Sequence, residues 1–417
     1  MTQLSEDCFA FGGPLLSVDA ALAQIDQRVT AVVGAETASL GAAHGRILAR
    51  DVVARMNLPP HPNSAVDGYA FAHTDLLADA ETVLPVAGRA AAGHPLGRPA
   101  GRGEAIRIFT GAPMPEGADT VMMQEDCVVE NGRVRLKAGI RKGANRRHAG
   151  EDVSEGAVAL AAGCRLGPPE LGLAAALGHR ELPVFRPLRV GLLSTGDEVC
   201  NPGEPLPPGG IYDANRFMLA ALLSGLGCAV TDFGIRPDRE AALADTLAAA
   251  SAEHDLIVTS GGVSTGEEDH VKTAIERLGS LHFWRLAIKP GRPVALGQIG
   301  RVPLIGLPGN PVAVVVTFAV LARPLIPKLA GAAALPPRLF RVRADFSYRK
   351  KPGRREYVRA SLRRDGDSIA AVKYPKDGAG ILSSIVQSDG LVILDENSTG
   401  LVSGADVDFL PFSEVIA

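Results

Sequence analysis

The sequence predicts a multidomain α/β plus β protein, and three stretches of the chain carry that expectation. From Val190 to about Leu325, short apolar runs alternate with amphipathic helical segments. That is the pattern of a doubly wound α/β domain with a largely parallel sheet. After Pro336 the chain turns to short alternating stretches separated by Gly, Asp and Asn turns, which reads as a small β-barrel. Residues 53–147 are rich in Gly, Pro and β-type segments, and helical segments flank them on both sides.

In chain order, Ser17 to Val29 reads as a helix with a cap-like start. Strand-like segments follow at Ala105–Phe109 and Asp119–Met123, and a second helix at Pro168–Leu177. The simplest arrangement is a β-rich domain inserted into an elongated, split, α-containing domain. In the α/β region, Arg189–Ser194 is a short apolar run suited to a buried parallel strand. Asn215 then precedes a helix with Leu219, Leu222, Leu223 and Leu226 on one face, stopped by Gly227. Ala229–Gly234 is a second strand, and Asp238 is a candidate cap for the Ala-rich helix after it. Leu256–Val258 is a third strand, Val271–Leu278 another helix, and Val302–Gly306 leads into a helix beginning near Val312. The expected segments are therefore 1–52 and 148–186 (the split domain), 53–147 (the insert), 187–334 (the α/β domain) and 335–417 (the barrel).

Composition bounds the function. A chain of 417 residues exceeds the ~250–300 that one core supports. Apolar content of 46% and charged content of 21% exclude wholesale disorder. Gly 47 and Pro 30 make about 18% of the chain, against a usual ~12%, so the excess must sit in turns and loops. A net charge of −3 excludes the electrostatics of a nucleic-acid or membrane binder for the chain as a whole. Locally, Arg338–Arg364 holds eleven Lys/Arg, either a guarded β edge or an anion site. Five cysteines with no Cys-x-x-Cys pair fit neither a zinc site nor a disulfide framework. With no leader-like N-terminus and no run of 18 apolar residues, a reduced, cytoplasmic location is expected.

In an open α/β sheet, ligands bind where loops leave the carboxyl ends of the strands. Three such loops are unusual: Ser194–Glu198, Thr259–Asp269 and Leu307–Pro311. Their glycines let backbone N–H groups approach an oxyanion, which points to a phosphate-bearing ligand. Asp197, Glu198, Glu267, Glu268 and Asp269 lie on the same edge. Thr265-x-x-Glu268 also fits a capping box, but no helix follows Asp197 and Glu198 directly. Hard oxygen ligands beside a phosphate pocket suggest Mg2+. Asp238 either joins them or caps its helix. Lys289 and Arg292, on the Pro-stiffened turn Lys289–Pro293, are suited to clamping an oxyanion. No Ser/His/Asp arrangement and no Walker A motif is present, so nucleophilic catalysis has no support.

Six motifs together resemble the molybdopterin molybdenumtransferase family, that of bacterial MoeA and the C-terminal part of gephyrin. They are Asn63–Tyr69 (NSAVDGY), Thr110–Asp119 (TGAPMPEGAD), Ser194–Glu198 (STGDE), Ser260–Gly266 (SGGVSTG), Lys289–Pro293 (KPGRP) and Leu307–Pro311 (LPGNP). The resemblance implies an elongated homodimer with four domains per subunit. It implies a reaction in which adenylylated molybdopterin and molybdate give molybdenum-loaded cofactor and AMP, with Mg2+ assisting. Carried over residue by residue, Asp67 and Thr110 are site residues that the insert brings across the dimer interface. Asp152, Glu198, Asp238 and Asp269 are the functional carboxylates, Lys289 the cation, and Pro308 and Pro311 the prolines shaping the last loop. Ser194, Thr195, Gly196, Ser260, Gly261, Gly262, Ser264, Gly266, Arg285, Gly309 and Asn310 are implied to bind the pterin nucleotide. Lys289, Arg292, Pro293, Arg354 and Ser383 are implied for molybdate, and Asp197, Glu198 and Asp269 for the metal. Many relatives carry Lys in place of Arg285 and Ser in place of Ala313. Molybdopterin adenylyltransferase and acceptor molybdoenzymes are further expected partners. A pterin adenylyltransferase and a non-catalytic pterin-binding scaffold are the alternatives. The 190 residues before the α/β unit argue against the first, and the acids Asp67, Glu198, Asp238 and Asp269 against the second.

Overall fold

The computed structural model of the chain describes residues 15–262, 270–291, 293–333, 336–366 and 368–416. Its centre is a six-stranded sheet. Across the sheet run Ala229–Arg236, Arg189–Thr195, Leu256–Ser260, Val302–Leu307, Pro293–Ile299 and Gly279–Arg285. The first four strands are parallel, and the last two add as antiparallel neighbours. That antiparallel edge is missing from the sequence reading, which took the sheet as largely parallel and passed over both strands.

Period-two alternation explains why helices cover both faces. Val190, Leu192, Leu256, Val258, Ile305 and Leu307 enter one core with the helices Asn215–Gly225 and Pro311–Thr317. Leu193, Ile257 and Leu304 point the other way, against Glu240–Glu253 and His270–Leu278. The helix Val18–Arg28 joins the first of these cores through Val18, Ala21 and Ile25. Ser17 Oγ caps it, accepting from the Ala20 amide at 3.1 Å, a contact worth about 1 kcal/mol. The stretch Pro311–Leu329 is long and apolar enough to span a membrane, but 78% of it is buried within the protein, as a core helix would be.

Residues 35–54 and 158–185 close on each other across the insert. Ala35–Ser39 pairs antiparallel with Glu181–Phe185, and Val52–Val53 with Val158–Leu160. The intervening chain forms its own six-stranded sheet around two small cores. Beyond the α/β unit, five strands close into a barrel. Arg355–Asp365 pairs with Ser368–Lys373 on one side and Gly390–Leu394 on the other, and Phe340–Ala344 and Asp406–Pro411 complete the circuit. The expected small barrel is thus present, and its core continues into that of the α/β domain through Tyr357, Leu391, Leu410 and Phe412.

Two ion clusters set the junctions. Asp255, just before the strand Leu256–Ser260, accepts a bidentate pair from Arg186 at 2.6 and 2.7 Å and a third bond from the Arg189 amide at 2.9 Å. Burial works against this charge, but the Arg186 and Arg189 hydrogen bonds outweigh it and hold the carboxyl well below its usual range. Arg355 reaches from the barrel to Asp19 on the first helix at 2.9 Å.

Candidate active site

A cleft of about 960 Å³ opens where the parallel strands end, with the α/β domain on one side and the barrel on the other. All three glycine-containing loops reach it. Thr195 and Gly196 line it from the first, Gly261 and Gly262 from the second, and Pro308, Gly309 and Asn310 from the third. Thr195 lines the cleft and is buried there, its hydroxyl beside the Asp238 carboxyl. Ser194 is buried in the strand behind it, its Oγ unpartnered.

Asn215, which sequence reading treated only as a helix start, ties two of the loops together. Its Nδ2 donates to Ser260 Oγ at 3.0 Å and to the Gly309 carbonyl at 2.7 Å. Pro311 begins the helix after the third loop. The first available amide of that helix, at Val312, already donates to Ala379 O of the barrel at 2.9 Å. The helix N-terminus is therefore less open to an anion than its sequence suggests.

Glu198 and Asp238 both line the cleft, and Asp197 lies on the exposed turn beside Glu198. Asp238 is not a helix cap. The N-cap of Glu240–Glu253 is Arg239, without a side-chain cap bond. Burial pushes the Asp238 carboxyl up, the charges of Asp197 and Glu198 add to the push, and His270 and the Thr195 hydroxyl oppose it. Among the described residues, no three His, Cys, Asp or Glu side chains converge as a ready metal site. The residues present suit Mg2+ in kind: they offer hard carboxylate oxygens and a mutual repulsion that a cation would relieve.

The barrel supplies the other wall. Ile288–Lys289 does not sit in a free turn; it pairs with Arg355–Glu356, at the edge of the barrel sheet. Lys289 lines the cleft and donates to Glu356 Oε2 at 3.0 Å and to Tyr348 Oη at 3.3 Å. Burial opposes its charge, but the Glu356 and Tyr348 hydrogen bonds outweigh it and raise its pKa. Arg354 lines the same wall. So does the buried Arg359, which donates to the carbonyls of Lys376 and Gly378 at 3.2 and 3.3 Å and leaves its Nε unpartnered. Ser383 is exposed at the start of a short helix, 3.5 Å from the hydroxyl of Tyr374, which does line the cleft. The basic run thus divides. Arg341, Arg343 and Arg363 make exposed pairs with Asp408, Asp365 and Asp345, while Arg354 and Arg359 face the cleft.

Three further expected site residues, Asp67, Thr110 and Asp152, lie in the insert or at its foot and do not line the cleft. Asp67 and Thr110 form a pair on the insert: Asp67 Oδ1 accepts from the Thr110 amide at 2.8 Å and its hydroxyl at 2.7 Å. Those bonds, backbone first, lower the Asp67 pKa, aided by the charge of Arg107. Asp152 is exposed at the foot of the insert, its amide bonded to Leu58 O at 3.0 Å. Ser264, Gly266, Glu267, Glu268, Asp269 and Arg292 lie outside the described residues, as do the side chains of Arg285 and Pro293. The backbones of Arg285 and Pro293 are register partners at the antiparallel edge.

The comparisons with known proteins bear on this arrangement directly. Residues 16–178 match the MoeA N-terminal region (domain I and II), 191–328 a "Probable molybdopterin binding domain", and 341–412 the MoeA C-terminal region (domain IV). A molybdopterin molybdenumtransferase from Haemophilus influenzae is 38% identical over 96% of this chain and 100% of its own length. The chain belongs to the MoeA family. A Nostoc molybdopterin molybdenumtransferase is 36% identical over 89% of this chain and 87% of its own. A molybdopterin biosynthesis MoeA protein from Pyrococcus horikoshii superposes with a TM-score of 0.83, at 28% identity over 95% of this chain and 100% of that one. The α/β unit corresponds to the second matched region and the closing barrel to the third, while the first covers the residues before them as one region. Glu356, Tyr348 and Asn215 carry no signal in the linear motifs of this MoeA chain. A Glu two residues after an Arg-rich turn could be singled out only by knowing which strand lies beside Lys289.

Proposed function

We infer that this chain is a molybdopterin molybdenumtransferase of molybdenum-cofactor synthesis. It takes adenylylated molybdopterin and molybdate, places molybdenum on the dithiolene and releases AMP. One observation carries the reading. A single cleft joins three glycine-containing strand-end loops and the acids Glu198 and Asp238 on one wall to Lys289 and Arg354 on the other.

Cleavage of the phosphoanhydride needs position and charge neutralisation more than a protein nucleophile. The backbone of Gly196, Gly261, Gly262 and Gly309 gives a nucleotide close approach, and the Thr195 hydroxyl is at hand on the same wall. Glu198 and Asp238 would hold Mg2+, with Asp197 adding negative charge nearby, and the ion would neutralise the anhydride oxygens. Lys289 and Arg354 would orient molybdate against the dithiolene from the barrel side. Asp67 and Thr110 would enter from the insert of a second copy of the chain, making the working unit a homodimer. A reduced cytoplasmic compartment suits the free thiols of Cys127, Cys164, Cys200 and Cys228.

The test is release of AMP from adenylylated molybdopterin, assayed with and without molybdate and Mg2+. Dependence on both supports the reading; pyrophosphate release from ATP without molybdate would instead make the chain an adenylyltransferase. For the shared site, Asp67→Ala and Glu198→Ala chains are each expected to be inactive. Mixing them after dissociation should restore about a quarter of the sites by random pairing. No recovery would place both residues at one chain's site or remove the dimer.

A further inference from the structure

Lys289 is the residue that sequence reading gave to the oxyanion, yet it already has a partner. Its Nζ is bound to Glu356 Oε2 at 3.0 Å, and the Tyr348 hydroxyl donates to the same oxygen at 2.8 Å. The pair is lopsided: the Lys289 side chain is 49% exposed, that of Glu356 only 3%. Glu356 is thus a buried anchor, and Lys289 an ammonium held by its root at the mouth of the cleft. Two strand-register contacts fix that root, since Ile288 pairs with Arg355 and Lys289 with Glu356. Tyr348 adds its ring, 5.8 Å from Nζ. Among the described residues, two other cations of the barrel are hydrogen-bonded elsewhere. Lys350 is spent on the carbonyls of Asp395 and Ser398, and Arg355 on Asp19 and Glu396.

We propose that Glu356 is a positioning and selectivity residue for oxyanion capture, acting through Lys289. The inference rests on the molybdenum-transfer reading and deepens it. A free lysine carries three N–H donors, sweeps a wide volume and attracts any anion. Here one donor is engaged by Glu356 and a second approaches Tyr348, so direction is restricted before the substrate arrives. The negative charge of Glu356 also offsets much of the lysine's positive charge. An oxyanion then binds through an aimed hydrogen bond together with Arg354, and much less through bulk attraction. Sulfate and phosphate, common cellular oxyanions, gain least from such a site and would gain most from an unpaired lysine.

The experiment compares Glu356→Gln, Tyr348→Phe and Lys289→Met in the full-length protein. Binding of molybdate and sulfate is followed by calorimetry, alongside KM and kcat for molybdate-dependent AMP release. Glu356→Gln keeps an acceptor of the same shape but removes the charge. Sulfate should bind about fivefold tighter or more, the scale of a partly exposed ion pair, while kcat falls and KM for the pterin nucleotide stays put. Tyr348→Phe should shift the ratio of molybdate to sulfate affinity in the same direction by less. In a Lys289→Met background, Glu356→Gln should change oxyanion affinity no further, because the effect passes through the lysine. Unchanged sulfate affinity in Glu356→Gln, or an equal effect in the Lys289→Met background, would overturn the assignment. Should a variant fold poorly, Tyr348→Phe, which removes one hydroxyl, still carries the test. Failure of the underlying reading is visible separately, as an unmodified chain that releases no AMP in response to molybdate.

Discussion

Two glycines on one cleft wall should respond oppositely to the same added methyl group. Gly261 has φ +85°, and a Cβ built on it would stand 2.7 Å from the Thr195 carbonyl oxygen. Left-handed backbone costs a non-glycine residue about 1–2 kcal/mol. Relieving the carbonyl contact needs the loop to move by roughly half an ångström, and overpacking of that kind costs about 1–3 kcal/mol. Gly261→Ala should therefore destabilise the α/β unit by about 3 kcal/mol and push two cleft-lining loops apart. Gly309 lines the same cleft, but its φ lies outside the left-handed range and nothing stands within 4 Å of its Cβ position. Gly309→Ala should be neutral, or stabilising by about 0.4–1 kcal/mol through the unfolded chain. The single tryptophan, Trp284, lies on an edge strand of this sheet, so its fluorescence in urea reports on the right unit. Molybdate-dependent AMP release is measured alongside. A Gly261→Ala transition within ~0.5 kcal/mol of the parent, or a Gly309→Ala transition lowered as far as that of Gly261→Ala, would refute the steric argument.

Further outcomes follow from single contacts. Asp255→Asn should cost about 2–3 kcal/mol, because it strips charge from the hydrogen bonds to Arg186 and Arg189. The folded pKa of Asp255 is depressed, so that stabilisation is present above the unfolded value of about 3.9 and is lost as pH falls through the folded value. The gap between parent and variant urea midpoints should accordingly be widest near neutrality and narrow in acid. Asp238 has the opposite sign. Its folded pKa is raised, so ionisation costs stability above that pKa, and the cost vanishes as pH falls through it. Asp238→Asn should be at least as stable as the parent at pH 7, yet show a smaller thermal shift on adding Mg2+ and little activity. A variant with the parent's full Mg2+ shift would remove Asp238 from the ion's ligands. Asn215→Ala should lose about 1–2 kcal/mol and raise KM for the pterin nucleotide more than for molybdate, since it frees the Ser260 and Gly309 loops. Steady-state kinetics and thermal denaturation check both parts.

The parts of the fold visible in the sequence are those governed by neighbours in the chain. The continuous apolar runs Val190–Leu193 and Leu256–Val258 point to strands buried on both faces, and both faces are packed. Ser17 marked the start of a helix, and it caps one. The loops at Gly196, Gly261 and Gly309 were found because glycine and its flanking polar residues are local signals, and all three reach one cleft. The antiparallel edge is not legible in the sequence: Gly279–Arg285 and Pro293–Ile299 are joined by seven residues that carry no short hairpin-turn signal. Asp238 stayed ambiguous for a similar reason, since a cap and a ligand look alike until the backbone shows which amide is within reach.

By itself the sequence determined the α/β unit and the barrel after it, the glycine-containing loops and the charged residues near them, because period, turn chemistry and residue type act over a few positions. Only the tertiary structure decided how those charges are used. Lys289 and Glu356 are 67 residues apart, and Asn215 and Gly309 are 94 apart, so neither contact leaves a trace in any local pattern. Each arises when strands and loops from distant parts of the chain are packed into register, and that packing turns an available lysine into an aimed one.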